Sequence, residues 1–319
     1  MIINAQIIVF FSYFIAFFSA LLIVSIGEMF SERSGVVNIS LEAIMSFSVM
    51  SGLIVMNLII DVLPSFLTII LTLLSAVISG MIASLLIAIP VIKFNTNQTL
   101  TGNAANMLIY AITVVLIKRI SKYDSSSVIQ FNKDIFMMKV GSLTFSIFTI
   151  ISFFVLFMSF IVLYCTRFGF RVISCGENPV AARNSGIDVK KYRFICILIS
   201  GFLAGLGGLA YIIPTGSYWD AVNGVYGFGF LAIVVVIFGI WRPARIALAA
   251  LLFSFLISFS YCYEGIFFNF FGIELNKNLF VTNELFKLTP YLFCLISLMF
   301  VSKKNVRPKA LGEPFKEGN

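Results

Sequence analysis

The sequence runs to 319 residues, of which 60% are hydrophobic, 15% aromatic and only 11% charged, with a formal net charge of +8. Soluble domains are about a quarter charged, and apolar runs of span length mark bilayer insertion, so a soluble globular fold is excluded; the runs are long and continuous, which excludes a transmembrane barrel. The positive balance sits in loops between apolar runs, the pattern of a cytoplasmic face and not of a nucleic-acid-binding surface, and with no histidine the commonest metal ligand and neutral-pH proton shuttle is missing.

Crossing about 30 Å of hydrocarbon takes about 20 apolar residues. On that measure the chain offers about nine spans, at 6–26, 41–60, 65–92, 100–117, 143–164, 194–213, 225–241, 246–263 and 288–302. The expected architecture is an all-α polytopic membrane protein whose helices form one bundle: a transmembrane domain over 1–302, interrupted by a basic loop at 165–193, and a short basic cytoplasmic tail over 303–319. The first run, Ile7 to Ile26, has no basic n-region and no small-residue cleavage site, so it reads as a span and not a removable signal. The cysteines at 165, 175, 196, 262 and 294 form no close pair and read as small hydrophobes. Basic loops at 165–193, at Arg242 and Arg245 and in the tail put the N-terminus outside and the C-terminus inside; the basic segment 118–142 disagrees, since the alternation of spans places it outside, so either a span is miscounted upstream or this loop is an exception.

The first interruption, GEMFSERSGVVNISLEAIMSF (27–47), sets Glu28, Glu32, Arg33, Asn38 and Glu42 between two apolar runs with no long loop to solvate them. A charge at the bilayer centre costs about 2.5–3.5 kcal/mol, so such groups pair or face a cavity; the alternative is an ordinary cytoplasmic turn with a Glu32–Arg33 surface pair. Asn38 or Ser40 is placed to cap the helix that follows. Pro90 is expected to end the third helix, and the polar run after it, with Asn97, Gln98, Asn103 and Asn106, opens the next. Amides inside a membrane either bond helices together or line a polar path. The substrate-path reading takes Asn38, Glu42, Asn97, Gln98, Asn103 and Asn106 as its candidates.

The longest polar interruption, Arg167 to Arg193, is strongly basic, and its middle, GENPVAARNSGI, reads as a short helix begun at Pro179 and stopped at Gly186. In the next span Gly201 and Gly205 form a GxxxG pair and Ala204 with Gly208 a second small-residue pair, the composition of close helix packing. Pro214-Thr215-Gly216 reads as a turn, with Tyr218 and Trp219 suited to an interfacial belt. There is no phosphate-binding GxxxxGK[ST] loop, no HExxH and no GxSxG, so the chain is read as a transporter subunit and not an enzyme, with any ATPase docking in trans on the basic loop.

Four segments, in order along the chain, then point to a family. SERSGVVNISLEAIM (31–45), GENPVAARNSGIDVKKYR (176–193), SGFLAGLGGLAY (200–211) and GFGFLAIVVVIFGIWRPARIALAALLFS (227–254) resemble the permeases of ABC importers of the branched-chain amino acid and ribose class. NQTLTGNAAN (97–106) is similar to the shorter permease of their nucleoside-importing branch, which works with a basic-membrane-protein-type lipoprotein. The resemblance implies a bacterial inner-membrane importer subunit, for purine or related nucleosides or, failing that, for a sugar or amino acid. It also implies a heterodimer with a second homologous permease, a separate ABC ATPase that holds the ATP and Mg, and an extracytoplasmic binding lipoprotein. No cofactor is expected on this chain. The ATPase-coupling loop would comprise Arg171, Gly176, Glu177, Asn178, Pro179, Ala181, Ala182, Arg183 and Gly186, while Ala43 and Trp241-Arg242-Pro243-Ala244 depart from the family pattern. A secondary carrier driven by an ion gradient, using Glu42 and the amides, is the competing class.

Overall fold

The computed structural model describes residues 2–120, 127–140, 143–271, 292, 293, 295 and 307–315. The span expected at 288–302 therefore lies outside the described residues except for three positions, as do Cys294, Lys303 and Lys304. Among the described residues, seven helices are long and apolar enough to cross a membrane. They are α1 (Ile2–Arg33), α2 (Leu41–Ile59), α3 (Ser65–Lys93), α4 (Gln98–Ile120), α5 (Ile147–Phe160, continued by a π-helical turn Ile161–Cys165), α8 (Val189–Thr215) and α10 (Pro243–Phe271). Between them lie α6 (Arg167–Glu177), α7 (Pro179–Asn184) and α9 (Phe228–Phe238), and four short strands: β1 (Val128–Gln130), β2 (Met137–Val140), β3 (Leu143–Ser146) and β4 (Tyr218–Asp220).

A helix that is apolar all round belongs in the middle of a bundle. α1 is such a helix: every side chain from Ala16 to Glu32 is buried, and it packs on α5, α8, α9 and α10. α8 lies beside it and also against α2 and α3, at distances only small residues allow. A Cβ at Gly201 would stand 2.6 Å from the Gly80 carbonyl oxygen and from the Ser84 side chain, Gly205 faces Ala76, and Gly208 faces the Met45 carbonyl. The outer helices keep an apolar stripe for lipid, with Leu74, Ile78 and Ile82 of α3 and Phe153, Phe154 and Phe157 of α5 all exposed.

The run 225–241, expected as a full span, is a correction. Tyr226 (φ 54) and Gly227 (φ 80) turn the chain through the left-handed region, and the helix that follows, α9, has 11 residues. Eleven residues rise about 16 Å, roughly half the hydrocarbon thickness. This crossing is therefore half loop and half helix, ended by Gly239, Ile240 (φ 51) and Trp241 (φ 50). Two smaller expectations also change. Pro90 lies in the last turn of α3, which runs on to Lys93 before Asn95 takes a positive φ of 52. Pro214 lies inside α8, which reaches Thr215.

The bundle has two polar ends. At one, β1 pairs antiparallel with β4, Asn57 Nδ2 donates to the Gln130 carbonyl, and Thr144 meets Ser12 near the start of α1. At the other, the end of α1 meets α6, α8 and the segment 307–315. Ser12 and Arg33 are separated along α1 by about 32 Å at 1.5 Å per residue. The basic 118–142 region thus shares an end with Asp220, opposite the 165–193 loop, as four preceding spans require.

Candidate functional site

The junction between α1 and α2 is built from buried polar groups. Glu28 is fully buried; its Oε1 accepts from the Asn38 amide at 2.8 Å and its Oε2 from Ser200 Oγ at 3.2 Å. Asn38 Nδ2 in turn donates to Ser200 Oγ at 3.0 Å, and Asn38 Oδ1 accepts from Ser40 Oγ at 3.1 Å. The expected alternative of a Glu32–Arg33 surface pair does not form: Glu32 is 2% exposed and accepts the Trp241 indole N–H, while Arg33 Nε donates to the Trp241 carbonyl at 3.0 Å. Both side chains converge on the turn after α9, where the buried Glu32 carboxylate finds the donor that water cannot supply.

The six residues assigned to a substrate path divide in the structure. Asn38, Glu42, Gln98 and Asn106 gather around the turn before α2 and its first helical turn. Gln98 Oε1 accepts from Val37 N at 3.0 Å, its Nε2 donates to the Gly35 carbonyl at 3.3 Å, and Asn106 Oδ1 accepts from Ala43 N at 3.0 Å. Asn106 thereby caps α2 from a neighbouring helix, and neither Asn38 nor Ser40 does so with its own side chain. Asn97, just before α4, and Asn103, on it, are exposed; Asn97 Oδ1 accepts from Thr99 N and Leu100 N, closing the start of the helix.

Glu42 reaches the discontinuous crossing. Its two carboxylate oxygens accept from Gly227 N at 2.8 Å and Gly229 N at 2.7 Å, at the positive end of α9. A Cβ at Gly229 would stand 2.5 Å from the Glu42 amide nitrogen, so only glycine lets the two backbones approach. The loop that delivers Gly227 is itself tied down. Trp219, expected at an interface, is 2% exposed and donates to the Gly224 carbonyl at 2.8 Å. Asp220 accepts from Ser127 Oγ, Val222 N and Asn223 Nδ2, and the Tyr110 hydroxyl donates to the Val222 carbonyl. None of Tyr110, Asp220 or Asn223 carried a sequence signal for this role, since Tyr110 and Ser127 reach this loop from 93 or more residues away and half of the bonds end on backbone groups. At the β1–β4 end a polar cleft of 760 Å³ opens among Asn57, Asp61, Gln130, Asn132, Asp134 and Tyr218.

At the opposite end α6 and α7 form a compact helical pair. Thr166 Oγ1 accepts from Gly169 N to start α6, Asn178 Oδ1 accepts from Ala181 N to start α7 with Pro179 in its first turn, and Gly186 (φ 80) ends it. Gly176 is seated against the Arg33 carbonyl with no room for a Cβ, and Ala182 is buried with Cys175 and Val189. Burial pushes the Cys175 thiol up to about 11. Arg171 Nη1 donates to the Tyr192 hydroxyl at 2.6 Å and lies over its ring. Outward, Val180, Ala181, Arg183, Asn184, Ser185 and Gly186 present an exposed face, with Glu177 half-buried at its edge. Among the described residues no group of three or more Cys, Asp or Glu side chains converges as a metal site would.

A family model described as the branched-chain amino acid transport system / permease component matches residues 10–296. The guanosine ABC transporter permease protein NupQ of Bacillus subtilis is 31% identical, with 93% of each chain covered. The nucleoside ABC transporter permease protein NupC of Lactococcus lactis subsp. cremoris is 30% identical over 92% of each. NupB of the same organism is 33% identical over 35% of this chain and 31% of its own length. No solved structure matches the chain. With the family model covering nine-tenths of a bundle of apolar helices, the chain is a multi-pass membrane protein of the bacterial inner membrane and belongs to the branched-chain amino acid transport system / permease component family.

Proposed function

We propose that this chain is the membrane-spanning subunit of an ATP-driven nucleoside importer, coupled to a separate ATPase through α6 and α7. The observation that carries the substrate class is end-to-end similarity to permeases named for guanosine and nucleosides, at 30–31% identity over 92–93% of both chains. A permease named as a putative glucose transporter of Haloferax volcanii is more distant, at 26% identity over 75% of this chain. A second permease, in the position NupB holds beside NupC in name, would complete the pore, and a binding lipoprotein would deliver the solute at the β1–β4 end. The ATP and Mg belong to the partner ATPase.

The reading gives α7 the role of the docked element because it is short, capped at both ends and exposed on one face at a basic end of the bundle. Movement of α7 would pass through Gly176 to the Arg33 turn, and so to Glu28, Asn38 and Glu42. A gradient-driven carrier has less support: both Glu42 oxygens are engaged by backbone amides, and Gln98 and Asn106 are engaged in the same way. The deciding experiment is radiolabelled guanosine uptake by the reconstituted complex with ATP, with unlabelled nucleosides, ribose and leucine as competitors. Competition by nucleosides alone supports the reading; competition by ribose or leucine alone moves the substrate to that class. Replacing Glu177 or Arg183 is expected to leave ATP hydrolysis running while uptake falls, and normal uptake in both variants would remove the coupling role from this loop.

A further inference from the structure

The segment 307–315 returns to the same end of the bundle as α6 and α7 and is bonded there on three sides. Ala310 N donates to the Gly176 carbonyl at 2.9 Å, tying it to the end of α6. Gly312 N donates to the Gly35 carbonyl at 3.2 Å, tying it to the α1–α2 turn. Its third anchor is Arg193, near the start of α8: Nε donates to the Ser34 carbonyl at 3.1 Å and Nη1 to the Glu313 carbonyl at 2.9 Å. Arg193 is 3% exposed; its Nε and Nη1 are bonded as above, while the buried Nη2 has no hydrogen-bond partner. Phe315, 8% exposed, closes the small apolar cluster of Cys175, Ala182 and Val189, beneath α7. Pro308 and Ala310 are buried as well, so the segment lies in a fitted track.

We infer that residues 307–315 are a strap that joins the α6–α7 unit to the α1–α2 turn, with Arg193 as its positioning residue, so that displacement of α7 moves the turn. The inference rests on the coupling role proposed for α7. The reason is mechanical. Without the strap, the α6–α7 unit meets the α1–α2 turn through the seat of Gly176 on the Arg33 carbonyl, and its other ties, Arg171 on Tyr192 and Ala182 beside Val189, run to α8. With it, the Gly176 carbonyl, the Gly35 carbonyl and the Ser34 carbonyl are held by one short segment and one guanidinium, and Ser34 and Gly35 immediately precede the Asn38 network. Gly312 (φ 84) takes the left-handed conformation at the turn where the strap passes from Ala310 on Gly176 to Gly312 on Gly35.

The test uses the intact complex with its ATPase in vesicles and has two readouts. The first is N-ethylmaleimide labelling of Cys175, quantified at that residue by peptide mass spectrometry. The thiolate is the reacting form, and Cys175 lies under Phe315 with its thiol pushed up to about 11, so labelling reports strap opening. The second is solute moved per ATP hydrolysed. Phe315→Ala and Gly312→Val are expected to raise Cys175 labelling about tenfold by local opening and to lower the transport-to-hydrolysis ratio while hydrolysis continues. Arg193→Ala is expected to do the same, and Arg193→Lys, which restores one donor of the fork, to fall between it and the parent; should either Arg193 variant fail to insert, the two strap variants carry the test. Unchanged labelling overturns the strap itself, and raised labelling with an unchanged ratio reduces it to a cover. If Glu177 or Arg183 variants uncouple while strap variants do not, only this inference falls. If those two variants transport normally, the coupling role of α7 falls first.

Discussion

Two backbone amides at the start of α9, Gly227 and Gly229, rest on one carboxylate, Glu42, and that arrangement sets the cost of changing it. Glu42→Ala leaves Gly227 N and Gly229 N without their acceptor at depth, where each unsatisfied group costs about 1–3 kcal/mol. Glu42→Gln keeps one oxygen and is expected to retain part of the stability; thermal unfolding of purified protein in detergent measures both, and an alanine variant that melts with the parent would refute the cap. Asn106→Ala, which removes the cap of α2, is expected to cost about 1 kcal/mol in the same assay. The sequence singled out Glu42 because it is an acidic residue fixed to a span, but its partners lie 185 and 187 residues downstream and are main-chain groups that no residue type advertises. Cys175 gives a pH dependence of known sign. Its thiol, held at about 11 by burial, favours the packed state fully below the ordinary thiol range and loses that contribution as pH rises through about 11. Labelling of Cys175 followed from neutral pH to about 11 should therefore rise more steeply than thiolate formation in a free peptide.

Among the elements, α8 shows how far composition carries. Its small-residue spacing announced close packing, whereas the partner was not written there: Gly201 fits Gly80 of α3, Gly205 fits Ala76, and Gly208 fits Met45 of α2. Gly201→Ala is expected to cost about 1–3 kcal/mol, because its Cβ meets backbone that cannot swing away. Gly186→Ala offers the contrast. It has nothing within 4 Å, only a φ of 80, so its cost is the smaller strain of one left-handed residue, about 1 kcal/mol. Equilibrium unfolding in mixed detergent ranks the two, and a reversed ranking would show that backbone strain outweighs packing here. The short helix α7 was legible from Pro179 and Gly186 because start and stop signals are local rules, while the Asn178 cap became visible only in the structure. α9 was not, because hydropathy counts apolar residues without registering that Tyr226 and Gly227 turn left-handed.

Across the whole molecule, the apolar runs that became spans set the two ends apart, and β1 pairing with β4 puts residues 128–130 of the basic region at the same end as Asp220, as alternation expects. The charge rule alone would have moved that loop to the other side, since Lys118, Arg119 and Lys133 all lie in it. β1 and β4 lie about 90 residues apart in sequence, so no local charge count registers the pairing that joins them.

The 11-residue length of α9 has a consequence for how the chain is made. A segment that supplies only about half the apolar length of a crossing is a poor substrate for insertion on its own. Glu42 is synthesised long before it, so by the time residues 216–241 leave the ribosome their acceptor is already in the bilayer. Insertion of this crossing is therefore expected to need docking onto Glu42, with the orientation of α10 depending on it. A reporter fused at the turn near Arg242 should lie on one side in the parent and divide between both sides in Glu42→Ala. In that sense a carboxylate near the start of the chain proofreads the topology of its last third.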